Sequence, residues 1–558
     1  MRINIYKNKL SQVLLACSLG VGILALPSCE GILEEEVIAN IGDEYMNTPS
    51  GLHDGVNAAY STLRSFYGTE RGNNFTIFGT DTYTNGADGS WKFMNQYTSQ
   101  FDPRTGHVRE VWNNFYAGIN TCNAVIDRAP EVSGMDEGLK ARYVAEAKFI
   151  RAHHYFVLTQ HFGGVDLQLT ETVVSTNEVT RATLADMYAA IIADLEASIP
   201  DLEATMRSTE YGRATKPAAE HLLGLVYLTK GYSEAAEGND FANAESYLKK
   251  VIDDYGFQLL PDFADVYAFG NEINDEVIFS VQYTRDPLTN GDGNNAHLYF
   301  LMEYDIQPGM QRDVANGRPW KRYRPTDYTL NNAFVNRDVD ARYHKSFKDV
   351  FYTNSPGEYN TTFDLSKSTV SFAEGDTAIY VPGYEIPEAE RASKPYQILT
   401  PSMYTDKLFP TLTKHLDPGR QDKTQAAGGR DYIVFRLADT YLMLAEAQFQ
   451  QDKIDDAVEN INAIRRRAAW PGMEAAMEIS SAELNLEFIM DERARELLGE
   501  QKRWMDLVRW GALVERVKMY NEAGAPNIKA THILRPIPQN QIDRVAGGKE
   551  AFPQNPGY

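Results

Sequence analysis

AEAKFIRAHHYFVLTQHFGGVDL, residues 145–167, is the stretch on which the fold turns. Followed back to residue 137, it places Leu139, Tyr143, Ala147, Ile150, His154 and Val157 on one stripe at three- and four-residue steps. That spacing predicts a long α-helix with a buried face. Gly163-Gly164 ends it, as glycine does where a helix needs a left-handed cap. His153, His154 and His161 lack zinc-ligand spacing such as HExxH, so they read as core or interface histidines.

The same periodicity recurs in both directions. RLADTYLMLAEAQFQQDKIDDAVENINAIRRRA (436–468) fits a tetratricopeptide-like hairpin, with Tyr441, Leu444 and Ala445 on its first helix and Ala457, Ile461 and Ile464 on its second. A second hairpin spans 218–252, carrying Leu223, Gly224 and Tyr227, then Ala244, Leu248 and Val251 after a lengthened loop. Two looser pairings are expected, 50–66 with 106–128 and 137–162 with 182–199. The intervals are unequal, which excludes a regular solenoid. Between about 256 and 427 the texture changes to short β-prone runs, EVIFSVQY and DTAIYVPGY, among Gly, Pro, Asn and Asp clusters. Helical pattern returns at 431–469 and 482–518. The expected class is mostly α: four helix pairs as scaffold, with an irregular, loop-rich half laid over them.

The N-terminus carries an address. Arg2, Lys7 and Lys9 precede an apolar run from Leu10 to Leu26, the arrangement of a secretory signal and too short to span a membrane as a helix. Leu26-Pro27-Ser28-Cys29 resembles a bacterial lipobox, which implies a signal peptide over 1–28 and lipidation at Cys29. Acyl chains there would tie the protein to a membrane. Glu30, Glu34, Glu35 and Glu36 follow, and this acidic stretch resembles the surface-export signal of Bacteroidetes-type lipoproteins. The expected location is the outer membrane, lipid-anchored and facing outward. Cys17 would be removed and Cys29 lipidated, leaving Cys122 alone in a helical pattern as a small buried hydrophobe, with no internal disulfide.

Removing residues 1–28 takes away three basic and no acidic residues, so the formal charge goes from −23 to −26. Such a chain is a poor nucleic-acid partner, because phosphate contacts need clustered Lys and Arg. No Pro-, Ser- or Gly-rich spacer divides it. We divide it as 1–28 signal peptide, 29–270 N-terminal helical region and 271–558 C-terminal region with irregular insertions.

Catalysis finds no support. Glu492, Glu496 and Glu500 are interleaved with Arg493, Arg495 and Arg503, and Asp506 stands three residues from Arg509. That pattern builds ion pairs within and between helices rather than the spaced carboxyl pair of a glycosidase. NGDGNNAHLYFL (290–301) has oxygen-bearing residues at 290, 292 and 294 but Asn295 and Leu301 where a calcium loop needs Gly and Glu, so it reads as a surface loop. There is no GxSxG, Walker loop or dinucleotide fingerprint. No catalytic residue, metal or cofactor is expected.

A ligand face is suggested by two tryptophans in polar loops: Trp91 in TDTYTNGADGSWKFMNQY (80–97) and Trp320 in NGRPWKRYRPTDY (316–328). An aromatic in such a loop has little core to join, and sugar rings stack on it. Asp81, Tyr83 and Asn85 are the expected hydrogen-bonding neighbours of Trp91; Arg322 and Tyr323 flank Trp320. The basic cluster Arg318, Lys321, Arg322 and Arg324 raises an anionic glycan as a variant.

Four stretches carry a family resemblance. Residues 145–167 resemble the RAxxYFxLxxxFGGVPL segment of SusD/RagB nutrient-binding lipoproteins, with Asp166 in place of the usual proline. FRLADTYLMLAEA (435–447), DERARELLGEQKRWMDLVRWG (491–511) and ILRPIPQNQID (533–543) with the terminal PQNPGY agree with it, in order. The resemblance implies a SusD-like fold and a non-enzymatic surface protein that captures oligosaccharide or polysaccharide and delivers it to a SusC-like TonB-dependent outer-membrane transporter. Capture of peptides, as a RagB-type lid, is the alternative within the family. A scaffold that uses its helices for protein partners alone is the alternative outside it.

Overall fold

The computed structural model describes residues 43–205 and 210–558; the signal peptide and Cys29 lie outside them. Asp43–Met46 is a single helical turn, and Asn47–Tyr558 form one compact unit. Among the described residues no helix is long and apolar enough to cross a membrane.

Four of the eight helices in the scaffold pairs start where the sequence supplies a side-chain oxygen for the free N–H groups of the first turn. Thr48 accepts from Gly51 N ahead of Pro49–Leu63, and Asp136 accepts from Leu139 N ahead of Glu137–Phe162. Thr183 and Asp186 cap Leu184–Ser198 reciprocally. The Glu137–Phe162 helix ends on Gly163, whose φ of 74° suits glycine. Its neighbour Gly164 is required for space, since a Cβ there would lie 1.9 Å from the carbonyl oxygen of Ala182. The GG step thus brings the connection to the next helix directly against the end of this one.

All four expected helix pairs are packed: Pro49–Leu63 with Gly106–Arg128, Glu137–Phe162 with Leu184–Ser198, Lys216–Lys230 with Asp240–Asp253, and Leu437–Phe449 with Ile454–Ala468. Their apolar faces meet in a large core running from Leu52 through Phe149 to Trp504, with satellite clusters around Leu442 and Ile461 and around Leu228 and Leu248. The middle of the chain forms short strands and turns over a small core of its own, centred on Tyr304, Phe351, Ile379 and Phe409. Two stretches differ from the periodicity reading. The 482–518 run is broken into Leu486–Glu496, Arg503–Arg509 and Leu513–Tyr520, with positive φ at Gly499, Gln501 and Gly511 in the turns. The 431–469 run begins as a strand. Tyr432–Arg436 is a strand, antiparallel to Val277–Val281, and the helix starts only at Leu437. Ile433 and Val434 are β-branched, and a partner strand some 150 residues away decides their conformation.

Two buried networks hold the layers together. Arg436 donates to Glu500 Oε2 (2.8 Å), Glu276 Oε1 (2.9 Å), Glu496 Oε1 (2.7 Å) and the Glu496 carbonyl (2.8 Å). Arg342 reaches Glu492 (2.8 Å) and Glu496 (3.0 Å), and Lys414 reaches Glu500 (2.6 Å). Most partners of these glutamates therefore come from distant segments and not from the arginines interleaved with them. The second network is neutral. Tyr67 OH lies 2.8 Å from His153 Nε2, His153 Nδ1 lies 3.3 Å from His154 Nδ1, and His154 Nε2 lies 2.7 Å from Thr62 Oγ1. Thr62 Oγ1 donates to the Ala59 carbonyl (2.6 Å), so one assignment of hydrogens satisfies the chain, with both rings uncharged.

Residues 535–558 return to the end of the Glu137–Phe162 helix. Arg535 N donates to the His161 carbonyl (2.6 Å), and Asn555 Nδ2 donates to the carbonyls of Phe162 (3.0 Å) and Arg535 (2.8 Å). The Arg535 guanidinium lies over Trp504, 4.2 Å from its ring centre.

Candidate functional site

Tyr83–Asn85 and Tyr323–Pro325 form a two-stranded antiparallel ribbon, with Asn85 opposite Tyr323 and Thr84 opposite Arg324. The loops leaving it are tied together. Gly86 N donates to the Arg322 carbonyl (2.9 Å), Asp88 N to the Lys321 carbonyl (3.3 Å) and Ala87 N to the Asp406 carbonyl (2.8 Å). Lys321 takes a φ of 41° at this junction, and its ammonium is held by Glu303 (2.7 Å) and Asp88 (3.2 Å). A Cβ on Gly89 would touch Arg322 Cδ at 3.1 Å, so the loop that leads to Trp91 lies directly against the segment that carries Trp320.

Both tryptophans are half-buried, with core behind them. Trp91 stacks on His107, ring centres 3.7 Å apart and planes 25° from parallel. His107 Nδ1 accepts from Asn74 Nδ2 (3.0 Å), and Asn74 Oδ1 accepts from Tyr323 OH (2.8 Å). Burial, with the Arg71 charge nearby, lowers His107 to about 3, so the ring under Trp91 is neutral. Trp320 packs on Tyr299 at 5.9 Å, and the guanidinium groups of Arg322 and Arg318 stand 5.2 and 5.7 Å from its ring centre. Arg322 is paired with Glu70 (3.2 Å), whose carboxyl is raised by burial against the pull of Arg322. The result is two aromatic platforms joined through His107, Asn74, Tyr323 and Arg322. His107, Asn74, Glu70 and Tyr299 come from elsewhere in the sequence, and no local signal singles them out.

The expected neighbours divide by burial. Asn85 is partly exposed, although its Oδ1 accepts from Asn95 Nδ2 (3.0 Å). Arg322 is partly exposed beside Trp320. Asp81, Tyr83 and Tyr323 correct the expectation, since all three are buried. Asp81 is ion-paired to Arg503 (2.8 and 2.6 Å) and Arg516 (2.6 Å), and these charges hold its carboxyl below the usual range although burial alone would raise it. Tyr83 packs edge-on against Phe300, and Tyr323 spends its hydroxyl on Asn74. The three build the support beneath the face. The basic cluster is likewise engaged: besides Lys321 and Arg322, Arg324 pairs with Glu522 (3.0 Å) and Arg318 donates to the Thr424 carbonyl (2.8 Å).

The carboxylate-rich segment, the helix Leu486–Glu496 and the turn after it, has the wrong electrostatics for a proton donor. Burial would raise Glu496 and Glu500, but Arg467, Arg436 and Arg342 around the first and Arg436 and Lys414 around the second hold both at about 2. A glycosidase acid needs a raised value. Among the described residues no group of three or more His, Cys, Asp or Glu is placed to hold a metal ion. In the 290–301 loop, Asn290 and Asn294 donate to the carbonyls of Gly428 (3.0 Å) and Arg430 (2.7 Å), which fixes the loop to the fold. Cys122 is fully buried, and burial pushes its thiol up.

Known proteins place this architecture. Residues 275–558 match the model of the SusD family, and residues 39–228 match a family described as starch-binding, associating with the outer membrane. SusD-like protein P25 of Formosa agariphila is 26% identical, covering 95% of this chain and 97% of its own. The starch-binding protein SusD of Bacteroides thetaiotaomicron is 25% identical, over 83% of this chain and 81% of its own. A solved laminarin-binding SusD-like protein superposes with a TM-score of 0.66 at 23% identity, covering 92% of this chain and all of the other. The overall fold is thus a known one, and the chain belongs to the SusD family.

Proposed function

We propose that the protein captures a neutral glycan on the Trp91–Trp320 face at the outer-membrane surface and hands it to a SusC-like TonB-dependent transporter, anchored meanwhile by lipid on Cys29. The carrying observation is the pair of half-buried tryptophans on mutually tied loops, each backed by rigid rings. Sugar rings offer apolar C–H faces to such platforms and hydroxyls to the polar groups between them. Relatives named for laminarin and starch support the ligand class. The paired state of Lys321, Arg322 and Arg324 favours a neutral over an anionic polymer. The engaged carboxylates support binding without turnover.

Calorimetric titration of the chain without residues 1–29 against laminarin, starch, an acidic polysaccharide and a peptide digest tests this. Heat with a neutral glycan is expected, with little dependence on salt. Trp91→Ala and Trp320→Ala are each expected to cost about 1–2 kcal/mol, a five- to thirtyfold loss of affinity. Heat with the digest alone would instead establish peptide capture, and unchanged affinity in both variants would remove this face from the function.

A further inference from the structure

The other side of the ribbon carries a cavity of about 290 Å³ that the tryptophan face does not use. Thr84 and Arg324 stand opposite each other in the register, and a pleat of period two turns them away from Tyr83 and Tyr323. They meet the Leu513–Tyr520 helix and the π-helical turn Tyr328–Ala333, a rare geometry that recurs at functional sites.

We propose that this cavity is a second binding site, for one neutral sugar ring. Its wall is aromatic and stiff. Tyr520 is half-exposed and packs on Tyr328 with ring centres 4.6 Å apart. The Arg516 guanidinium backs the pair at 4.6 Å from Tyr328 and 5.2 Å from Tyr520, itself fixed by Asp81. A stacked ring needs such a platform, because a loose tyrosine would have to be ordered on binding. Around it stand the Asn332 amide, the Asp327 carboxylate and the Lys518 ammonium, lining the cavity without a hydrogen bond or ion pair to the described residues. Donors and acceptors are therefore both available, as vicinal hydroxyls require. The charges balance: Asp327 and Glu522 against Lys518 and Arg324, the last of these already paired with Glu522 at 3.0 Å. An anionic sugar finds no net attraction there, and an apolar ligand would strand the polar rim. The volume lies at the bottom of the ~300–1,000 Å³ range of small-molecule sites, which fits a single ring rather than a chain segment.

Met519 lies at the mouth, so its methyl group is a local reporter. The chain from residue 30 onward, which contains the whole Asn47–Tyr558 unit, is labelled with methyl-¹³C methionine, and the Met519 signal is assigned with Met519→Leu. Glucose, galactose, mannose, xylose and sodium glucuronate are titrated in turn. At least one neutral sugar is expected to shift the Met519 signal saturably. The apparent affinity is expected to fall at least about tenfold in Tyr520→Ala, a loss of about 1.4 kcal/mol. It should fall equally in Asn332→Trp, which blocks the mouth from an exposed position and does not burden folding. The shift is expected to survive in Trp91→Ala/Trp320→Ala. A Met519 signal that no neutral sugar moves, that glucuronate alone moves, or that follows the tryptophan variant overturns the proposal. None of these outcomes touches the polysaccharide titration of the tryptophan face, so the two sites stand or fall separately.

Discussion

Replacing Arg436 by methionine is expected to cost about 3–5 kcal/mol of stability, because it leaves buried carboxylates without their counter-charge. Arg436 is 1% exposed at its side chain, and its guanidinium bridges the end of the Tyr432–Arg436 strand, Glu276 beside the partner strand, and Glu496 and Glu500. Methionine fills much of the volume and supplies no donor. Arg467, Arg342 and Lys414 remain, yet each already has its own geometry fixed by the same glutamates. Arg436→Lys keeps the charge but not the fork, so an intermediate loss is expected. Thermal melts of the three proteins decide it. A few degrees separate them if the unit melts as one, and coincident curves would mean that the remaining cations compensate fully.

The second large effect is acid lability. Eight of the ten histidines have values below the ordinary one: His107 and His153 fall to about 3, His297, His415 and His532 to about 4, and His154, His161 and His221 are also lowered. Burial is the first cause in every case. Protonating both His153 and His154 would also set a donor against a donor at their Nδ1–Nδ1 contact, and His161 sits between Phe75 and Trp504 with the Arg535 charge nearby. Below pH of about 6.5 the unfolded chain takes up protons that the folded chain refuses. This stabilisation is complete above that pH and is lost as pH falls toward the folded values, by up to about 1.4 kcal/mol per pH unit for each ring. Glu496 and Glu500 act with the same sign but lower down, from about 4.3 toward about 2, while Asp431, raised by burial to about 6, acts with the opposite sign and offsets one ring at most. Melting temperature is therefore expected to drop steeply between pH of about 6.5 and 5, with several protons taken up on unfolding. Calorimetry in buffers of different ionisation enthalpy counts them, and uptake of less than one proton at pH of about 5.5 would contradict this account.

The helix pairs were legible because their information is local: apolar residues at helical spacing, an oxygen at the start and glycine at the stop. Tyr432–Arg436 was not, since nothing within the segment says that Val277–Val281 lies beside it. The two tryptophans stood out as large rings in loops with no periodicity to absorb them. Their sequence neighbours misled for a simple reason. On a pleated ribbon adjacent residues point oppositely, so Tyr83 and Tyr323 go inward while Arg324 goes outward. Asp81 looked like a ligand residue until its partners Arg503 and Arg516, more than four hundred positions away, came beside it. His107 and Asn74 carry no signal of their own in the sequence, because they matter only through the ring they support.

The bonds from Arg535 and Asn555 to the His161 and Phe162 carbonyls have a meaning in time as well as in space. The Glu137–Phe162 helix is synthesised early, yet a contact that finishes it spans 393 positions of sequence. Contacts of that span form late in folding, after the loop that separates them has closed. A chain emerging N-terminus first, from a ribosome or across a membrane, therefore passes most of its synthesis with that helix end open. A chain stopped short of residue 555 lacks the donor that covers the Phe162 carbonyl, so that helix end is expected to be less protected from amide exchange than in the full chain.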